Sequence, residues 1–290
     1  LIDYLVDNKF DTFFLVTGGA IVPTVDYIGR KEGATYYCFQ HEQSAAMAAE
    51  SFYRTSGKMG VVLTTSGPGA QNLLNGICGC WYESIPCLFI TGQVSTYESL
   101  DSIQTKPRQV GFQEMPVVES FKHFTKYSTK VTKAELFDNI LKEAISSSLT
   151  GRPGPSLIDL PVDIQNSTIT LTSTDKLKWW NKKPINYIHP DEYRDIIDKI
   201  KQSKRPLLLL GQGVKLASGQ ENAKKFIDKL QIPFVVSWGG FDTISHDHPL
   251  FVGDIGVYGS RGGNYAIQNC DLLLSIGSRL DTRQTGGQLD

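Results

Sequence analysis

One feature constrains this chain more than any other: short apolar runs alternate with helical stretches along most of its length. Strand-like runs at Thr12–Val16, Thr35–Phe39, Gly60–Thr64, Cys87–Thr91 and Ser156–Leu160 read as buried strands. The intervals Ala20–Ile28, Glu42–Thr55, Ala70–Tyr82 and Lys133–Ser148 read as helices. Near-continuous apolar strands joined by helices cannot form hairpins; they predict a mostly parallel sheet with helices on both faces. The rhythm stops at Asp163–Pro190, a segment rich in Thr, Ser, Asn and Lys that carries Trp179 and Trp180. It then resumes with helix Asp191–Lys201, strand Pro206–Leu210, helix Gln220–Leu230, strand Phe234–Ser237, helix Gly262–Asn269 and strand Asp271–Ile276. The expectation is two doubly wound α/β domains, residues 1–165 and 190–290, joined by a linker at 166–189, with the second, Rossmann-like one incomplete.

Charge and cysteine usage narrow the classes of function. With 29 Lys+Arg against 30 Asp+Glu in 290 residues, nothing global draws the protein to nucleic acid or to an anionic membrane. The longest apolar stretches, such as Leu207–Leu210, are strand-length and far short of a membrane span. No basic region followed by an apolar run opens the chain, so no secretory signal is visible. Five irregularly spaced cysteines (Cys38, Cys78, Cys80, Cys87, Cys270) suit neither a disulfide framework nor a zinc site, and a reducing cytoplasm fits them best. The first residue is not Met and the last residues, Thr285–Asp290, follow no recognisable closing element, so a fragment cut at both ends is expected.

Ligands of open α/β sheets bind beyond the carboxyl ends of the strands, where loops run into helices. Three such loops stand out: Val16-Thr17-Gly18-Gly19-Ala20, Gln40-His41-Glu42-Gln43 and Thr65-Ser66-Gly67-Pro68-Gly69-Ala70-Gln71-Asn72. Each alone has an ordinary reading. Paired glycines make tight turns, and a glutamate in a helix's first turn complements the macrodipole. Ser-Gly-Pro-Gly fits neither the dinucleotide fingerprint nor the P-loop. His41 reads as structural or peripheral, and His246 and His248 lack the spacing of metal ligands.

Together, in this order, the loops resemble something specific. His-Glu-Gln-x-Ala-Ala-x-x-Ala-Glu at 41–50, Thr-Ser-Gly-Pro-Gly-Ala-x-Asn at 65–72 and Ser-Ile-Pro…Ile-Thr-Gly-Gln-Val at 84–94 resemble the pyrimidine-binding domain of thiamine-diphosphate enzymes. Gly-Phe-Gln-Glu at 111–114 and Gly-Arg-Pro-Gly-Pro at 151–155 narrow the resemblance to the acetolactate synthase-like branch. The resemblance implies that Glu42 pairs with N1′ of the cofactor's aminopyrimidine as a largely desolvated carboxylate. That favours the imino tautomer, whose 4′-nitrogen takes the proton from C2 of the thiazolium. It further implies that Gly18, Gly19, Gly67, Pro68 and Asn72 hold the cofactor, and that Ala20, Phe112 and Gln113 line its substrate side.

The second domain resembles the central domain of the same enzymes, which holds FAD in acetolactate synthases. By that resemblance Arg152, the loop Gly211-Gln212-Gly213, and Gly277, Arg279, Asp281 and Arg283 contact the flavin, with the glycine loop's backbone approaching a pyrophosphate. Mg²⁺ and the diphosphate belong to a Gly-Asp-Gly…Asn motif that this chain lacks. Gly253-Asp254-Ile255-Gly256 is only superficially similar and reads as a loop.

The function so implied is a carboligase that decarboxylates a 2-keto acid such as pyruvate and transfers the acyl carbanion to a second carbonyl. It would act as a homodimer or homotetramer with its active site across the subunit interface, without nucleic acid or membrane. The alternatives are a keto-sugar nucleotide as acceptor, or simple decarboxylation. Three departures bear on this choice: Val16-Thr17 where the family has Tyr-Pro, Val162 where it has Lys, and Val257-Tyr258 where it has Met-His. They count against branched-chain amino-acid biosynthesis and leave thiamine chemistry untouched. A nicotinamide dehydrogenase is disfavoured by the missing strand–GxGxxG–helix fingerprint. A non-catalytic relative is disfavoured by the presence of Glu42.

Overall fold

A computed structural model describes residues 1–105, 107–169 and 189–287. The chain forms two compact units, Leu1–Lys183 and Pro184–Asp290. The first holds strands β1 (Thr12–Leu15), β2 (Thr35–Cys38), β3 (Gly60–Thr64), β4 (Cys87–Gln93), β5 (Tyr127–Lys130) and β6 (Pro155–Pro161). They make one sheet in the order β2-β1-β3-β4-β6-β5, with every pairing parallel. The second unit holds β7 (Pro206–Leu210), β8 (Phe234–Val236), β9 (Phe251–Asp254) and β10 (Leu272–Ile276), all parallel in the order β10-β7-β8-β9. The linker expected at 166–189, with its two tryptophans, lies almost entirely outside the described residues. Among those residues no helix is long and apolar enough to cross a membrane.

Strand alternation explains the two-faced burial of the first sheet. Phe13, Leu15, Val61, Leu63, Leu88, Ile90, Ile158 and Leu160 point to one face and form a core with Ile28, Leu141, Ala144 and Ile145 from helices Val22–Arg30 and Phe137–Leu149. The intervening Phe14 points to the other face, where its ring lies 5.6 Å from that of Phe52 on helix Glu42–Ser56. That helix is alanine-rich where it meets the sheet, because Gly60 of β3 would bring a Cβ within 3.1 Å of Ala49. Backbones this close leave no room for larger side chains.

Several expectations need correction. β2 is no buried strand: it is the sheet's edge, and Tyr36 and Tyr37 are 48% and 52% exposed. β10, also an edge, is half-buried at Leu272–Leu274 and exposed beyond. β5 was not expected, since Tyr-Ser-Thr-Lys has no apolar run; it is an edge strand with one neighbour, β6. β9 covers Gly253 and Asp254, which read as loop. Gly253 has φ +144°, and the register against β8 slips there, so the strand is irregular where the sequence is glycine-rich. The helix expected at Ala70–Tyr82 is two helices, Pro68–Gln71 and Leu74–Tyr82.

Candidate active site

The loops leaving β1, β2, β3 and β4 meet at the carboxyl edge of the first sheet. Glu42 is the first residue of helix Glu42–Ser56, whose N-cap is His41; the Gln43 N–H donates to His41 Nδ1 at 3.2 Å. His41 thus caps the helix. The Asn72 side-chain amide donates to Glu42 Oε2 at 2.9 Å. Among the described residues Glu42 Oε1 accepts no hydrogen bond. A Cβ at Gly69 would stand 3.2 Å from that oxygen and 2.7 Å from Thr65 Cγ2. The glycine thus leaves a small bare wall beside a carboxylate oxygen with acceptor capacity to spare. Within this chain Glu42 is half-buried.

Thr65 organises the site, although the sequence did not single it out as a site residue. Its Oγ1 accepts the Ala20 N–H at 3.2 Å, and its Cβ would lie 2.5 Å from a Cβ added at Gly18. The Ala20 carbonyl accepts from Gln165 Nε2 at 2.7 Å, and a Cβ at Gly92 would come within 2.2 Å of it. Ala20 is therefore held by its backbone from three sides. Gly19, next to Gly18, has open space where a Cβ would project.

Phe112 and Gln113, the residues expected on the substrate side, arrive on a turn. Gly111 to Glu114 is closed by Glu114 N–H donating to the Gly111 carbonyl at 3.1 Å, with Gln113 at φ +56°. Gly67, itself at φ +56° and followed by Pro68 at the start of helix Pro68–Gln71, would place a Cβ 2.5 Å from the Gln113 carbonyl oxygen. Phe112 is 82% exposed at the tip. Glu42, Asn72, Gly67, Pro68, Gly18, Ala20, Phe112 and Gln113 thus all belong to four adjoining loops.

The residues expected to contact a flavin occur in both units and are described unit by unit. Arg152 is in the first, where its Nε donates to Ser84 Oγ at 2.6 Å. In the second, Gly211, Gly213 and Gly277 pack backbone to backbone. A Cβ at Gly211 would be 2.3 Å from the Gly277 oxygen, and one at Gly213 2.8 Å from Gly277 Cα. The Gly211 and Gly213 N–H groups donate to the carbonyls of Ile276 and Gly277, each at 2.9 Å. Close approach of the Gly211-Gln212-Gly213 backbone to a pyrophosphate would therefore not use the Gly211 and Gly213 N–H groups, which are occupied. Asp281 caps the turn Thr282–Thr285 by accepting the Arg283 N–H at 2.9 Å, and the exposed Arg279 pairs with it at 3.5 Å. Asp254 caps Ser260 N–H at 3.1 Å, and Asn264 bonds both the Gly256 N–H and carbonyl at 2.9 Å, so the Gly253–Gly256 segment has structural work. Among the described residues no cluster of His, Cys, Asp and Glu is arranged to hold a metal.

Comparison with known proteins follows the same division. Residues 1–120 match the thiamine pyrophosphate enzyme N-terminal TPP binding domain, and residues 193–290 match the central domain of those enzymes. The sheet continues past the first match, since β5 and β6 pair onward from β4. The chain is 34% identical over 292 residues to a probable acetolactate synthase large subunit of Methanococcus aeolicus, covering 99% of this chain and 47% of that protein. It is 35% identical over 283 residues to the acetolactate synthase isozyme 2 large subunit of Escherichia coli (strain K12), covering 95% and 48%. It is 33% identical to the mitochondrial acetolactate synthase catalytic subunit of Saccharomyces cerevisiae, covering 96% and 41%. The chain spans about half the length of these relatives.

Proposed function

The chain belongs to the acetolactate synthase-like thiamine pyrophosphate enzymes, and from that membership we propose that it is the pyrimidine-binding and central part of a thiamine-diphosphate-dependent carboligase. Residues 1–165 are assigned to the pyrimidine-binding domain, 166–189 to the connection and 190–290 to the central domain. The reaction assigned is decarboxylation of a 2-keto acid, pyruvate being the simplest, with transfer of the acyl carbanion to a second carbonyl. The observation that carries this reading is the Glu42–Asn72 pair beside Gly69.

When bound, thiamine diphosphate supplies the electron sink that decarboxylation of a 2-keto acid requires. Glu42 Oε1 is the oxygen assigned to share a proton with N1′ of the aminopyrimidine. Asn72, on Oε2, keeps the carboxylate from turning away, so one oxygen is held and the other is presented. Gly69 leaves the space beside Oε1 unfilled, and Gly18, Gly19, Gly67 and Pro68 supply the surrounding backbone. Ala20, Phe112 and Gln113 are assigned to the substrate side. Mg²⁺ and the diphosphate are assigned to a part of the enzyme outside these residues.

For FAD, the exposed guanidinium groups of Arg279 and Arg283 are assigned as hydrogen-bond donors to its phosphates; Arg152, in the first unit, is assigned to FAD by the family resemblance alone. Gly211, Gln212, Gly213, Gly277 and Asp281 shape the loop beneath them. The assembly assigned is a homo-oligomer with the site shared between subunits. Apolar side chains left in water on the first unit, among them Tyr36, Tyr37, Met47 and Phe112, support a covered surface there.

Val162 and Tyr258, standing where the family has lysine and histidine, favour a second reading with the same cofactor and a different acceptor, such as a keto-sugar nucleotide, or none. Product analysis separates the readings. With thiamine diphosphate, Mg²⁺ and pyruvate, the intact enzyme is expected to form acetolactate. Acetaldehyde alone would identify a decarboxylase, and unconsumed pyruvate would overturn the pyruvate assignment.

A further inference from the structure

The site's substrate side depends on where the Gly111–Glu114 turn sits, and the turn is tied to the end of β4 by a buried polar relay. Asp159 on β6 stands directly opposite Thr91 on β4 and Lys130 on β5. Asp159, Thr91 and Gln93 are each no more than 1% exposed. Thr91 Oγ1 donates to Asp159 Oδ1 at 2.8 Å, and Gln93 Nε2 donates to Asp159 Oδ2 at 3.0 Å. An ionised carboxylate only accepts, so it fixes which way the Gln93 amide faces. Nε2 must point to Asp159, and it also donates to the Met115 carbonyl at 3.1 Å; Oε1 then accepts the Val94 N–H at 3.0 Å.

The turn has two further ties to the same place. Glu114 accepts from Ser99 Oγ at 2.6 Å and from the N–H groups of Leu100 and Gly111 at 2.8 and 3.2 Å. Gly111 lies so close to Val94 that a Cβ would fall 2.7 Å from Val94 Cγ2. Besides its bond to Asp159, the Gln93 side chain therefore bonds the strand's exit at Val94 and the residue that follows the turn, Met115.

We propose that Gln93, oriented by Asp159, is the positioning residue that sets the Gly111–Glu114 turn, and with it Phe112 and Gln113, over Gly67. This rests on the assignment of Phe112 and Gln113 to the substrate side. Buried amide groups left unpaired are costly, so removing the Gln93 amide frees the Met115 carbonyl and Val94 N–H together.

Hydrogen exchange read by mass spectrometry tests the relay without cofactor or substrate. Gln93→Met is expected to speed exchange across residues 95–115 at least tenfold while β3, β4 and β6 keep their protection. Gln93→Asn, a milder change whose shorter amide cannot span Asp159 and Met115, is expected to loosen the same segment. Asp159→Asn is expected to retain wild-type protection, because its Oδ1 accepts from Gln93 while its Nδ2 donates to Thr91. Wild-type exchange in both Gln93 variants, or loosening spread evenly through the sheet, would overturn the proposal. In the intact enzyme, Gln93→Asn should raise KM for the 2-keto acid at least tenfold with kcat within threefold. A loosened turn with unchanged KM would support the relay and retire Phe112 and Gln113 as substrate contacts.

Discussion

Gly18 and Gly19 are neighbours of one residue type with different obligations. Gly18 is extended, at φ 179°, a conformation any residue adopts; what excludes a side chain is Thr65, 2.5 Å away. Gly19 faces open space. Gly18→Ala is therefore expected to destabilise the fold by about 1–3 kcal/mol, as overpacking does, whereas Gly19→Ala should stay within about 0.5 kcal/mol. Urea unfolding checks both, and equal losses would show that the pair acts as one turn. The sequence flagged this pair, Glu42 and Asn72 because their chemistry is local to short motifs. It did not rank the glycines or point to Thr65 and Gln93 as site residues, because their partners come from other strands, and only pairing register brings those together.

At the scale of elements, the strands the sequence revealed are those with continuous apolar runs, and the ones it missed are at sheet edges or irregular. Tyr127–Lys130 has one neighbour and needs no apolar run, and Phe251–Asp254 is interrupted by Gly253. Burial of β6 has a consequence for pH. Loss of water pushes the Asp159 carboxyl up to about 6, against bonds from Gln93 and Thr91 and the charge of Lys130, with Glu114 adding to the rise. Between about pH 4 and 6 the folded chain then holds a proton at Asp159 that the unfolded chain has released. This site therefore lowers stability as pH rises through that window, by at most about 3 kcal/mol. Asp159→Asn should remove this contribution, so the variant's stability relative to wild type should grow from pH 4 to pH 7. Parallel wild-type and variant curves from denaturant unfolding would contradict it. Glu114 moves the opposite way. Partial burial favours its protonated form, but bonds from Ser99, Leu100 and Gly111 and the charge of Lys130 outweigh it and lower its pKa.

At the scale of the whole molecule, the two units carry separable claims. The assignment of Arg279 and Arg283 to FAD predicts that the intact enzyme binds FAD saturably and shows a flavin absorbance band, which Arg279→Ala combined with Arg283→Ala should weaken. Absence of any FAD binding would place the protein among flavin-free relatives without touching the first unit. The first unit carries the central claim, that Glu42 shares the proton at N1′. It is tested most directly by pyruvate consumption in the intact enzyme and its Glu42→Gln variant, with thiamine diphosphate and Mg²⁺ saturating. Circular dichroism should show both proteins folded, and we expect the variant's kcat to fall by about 10²–10⁴-fold, the range for a lost acid–base group. Near-wild-type turnover by folded Glu42→Gln would contradict the claim.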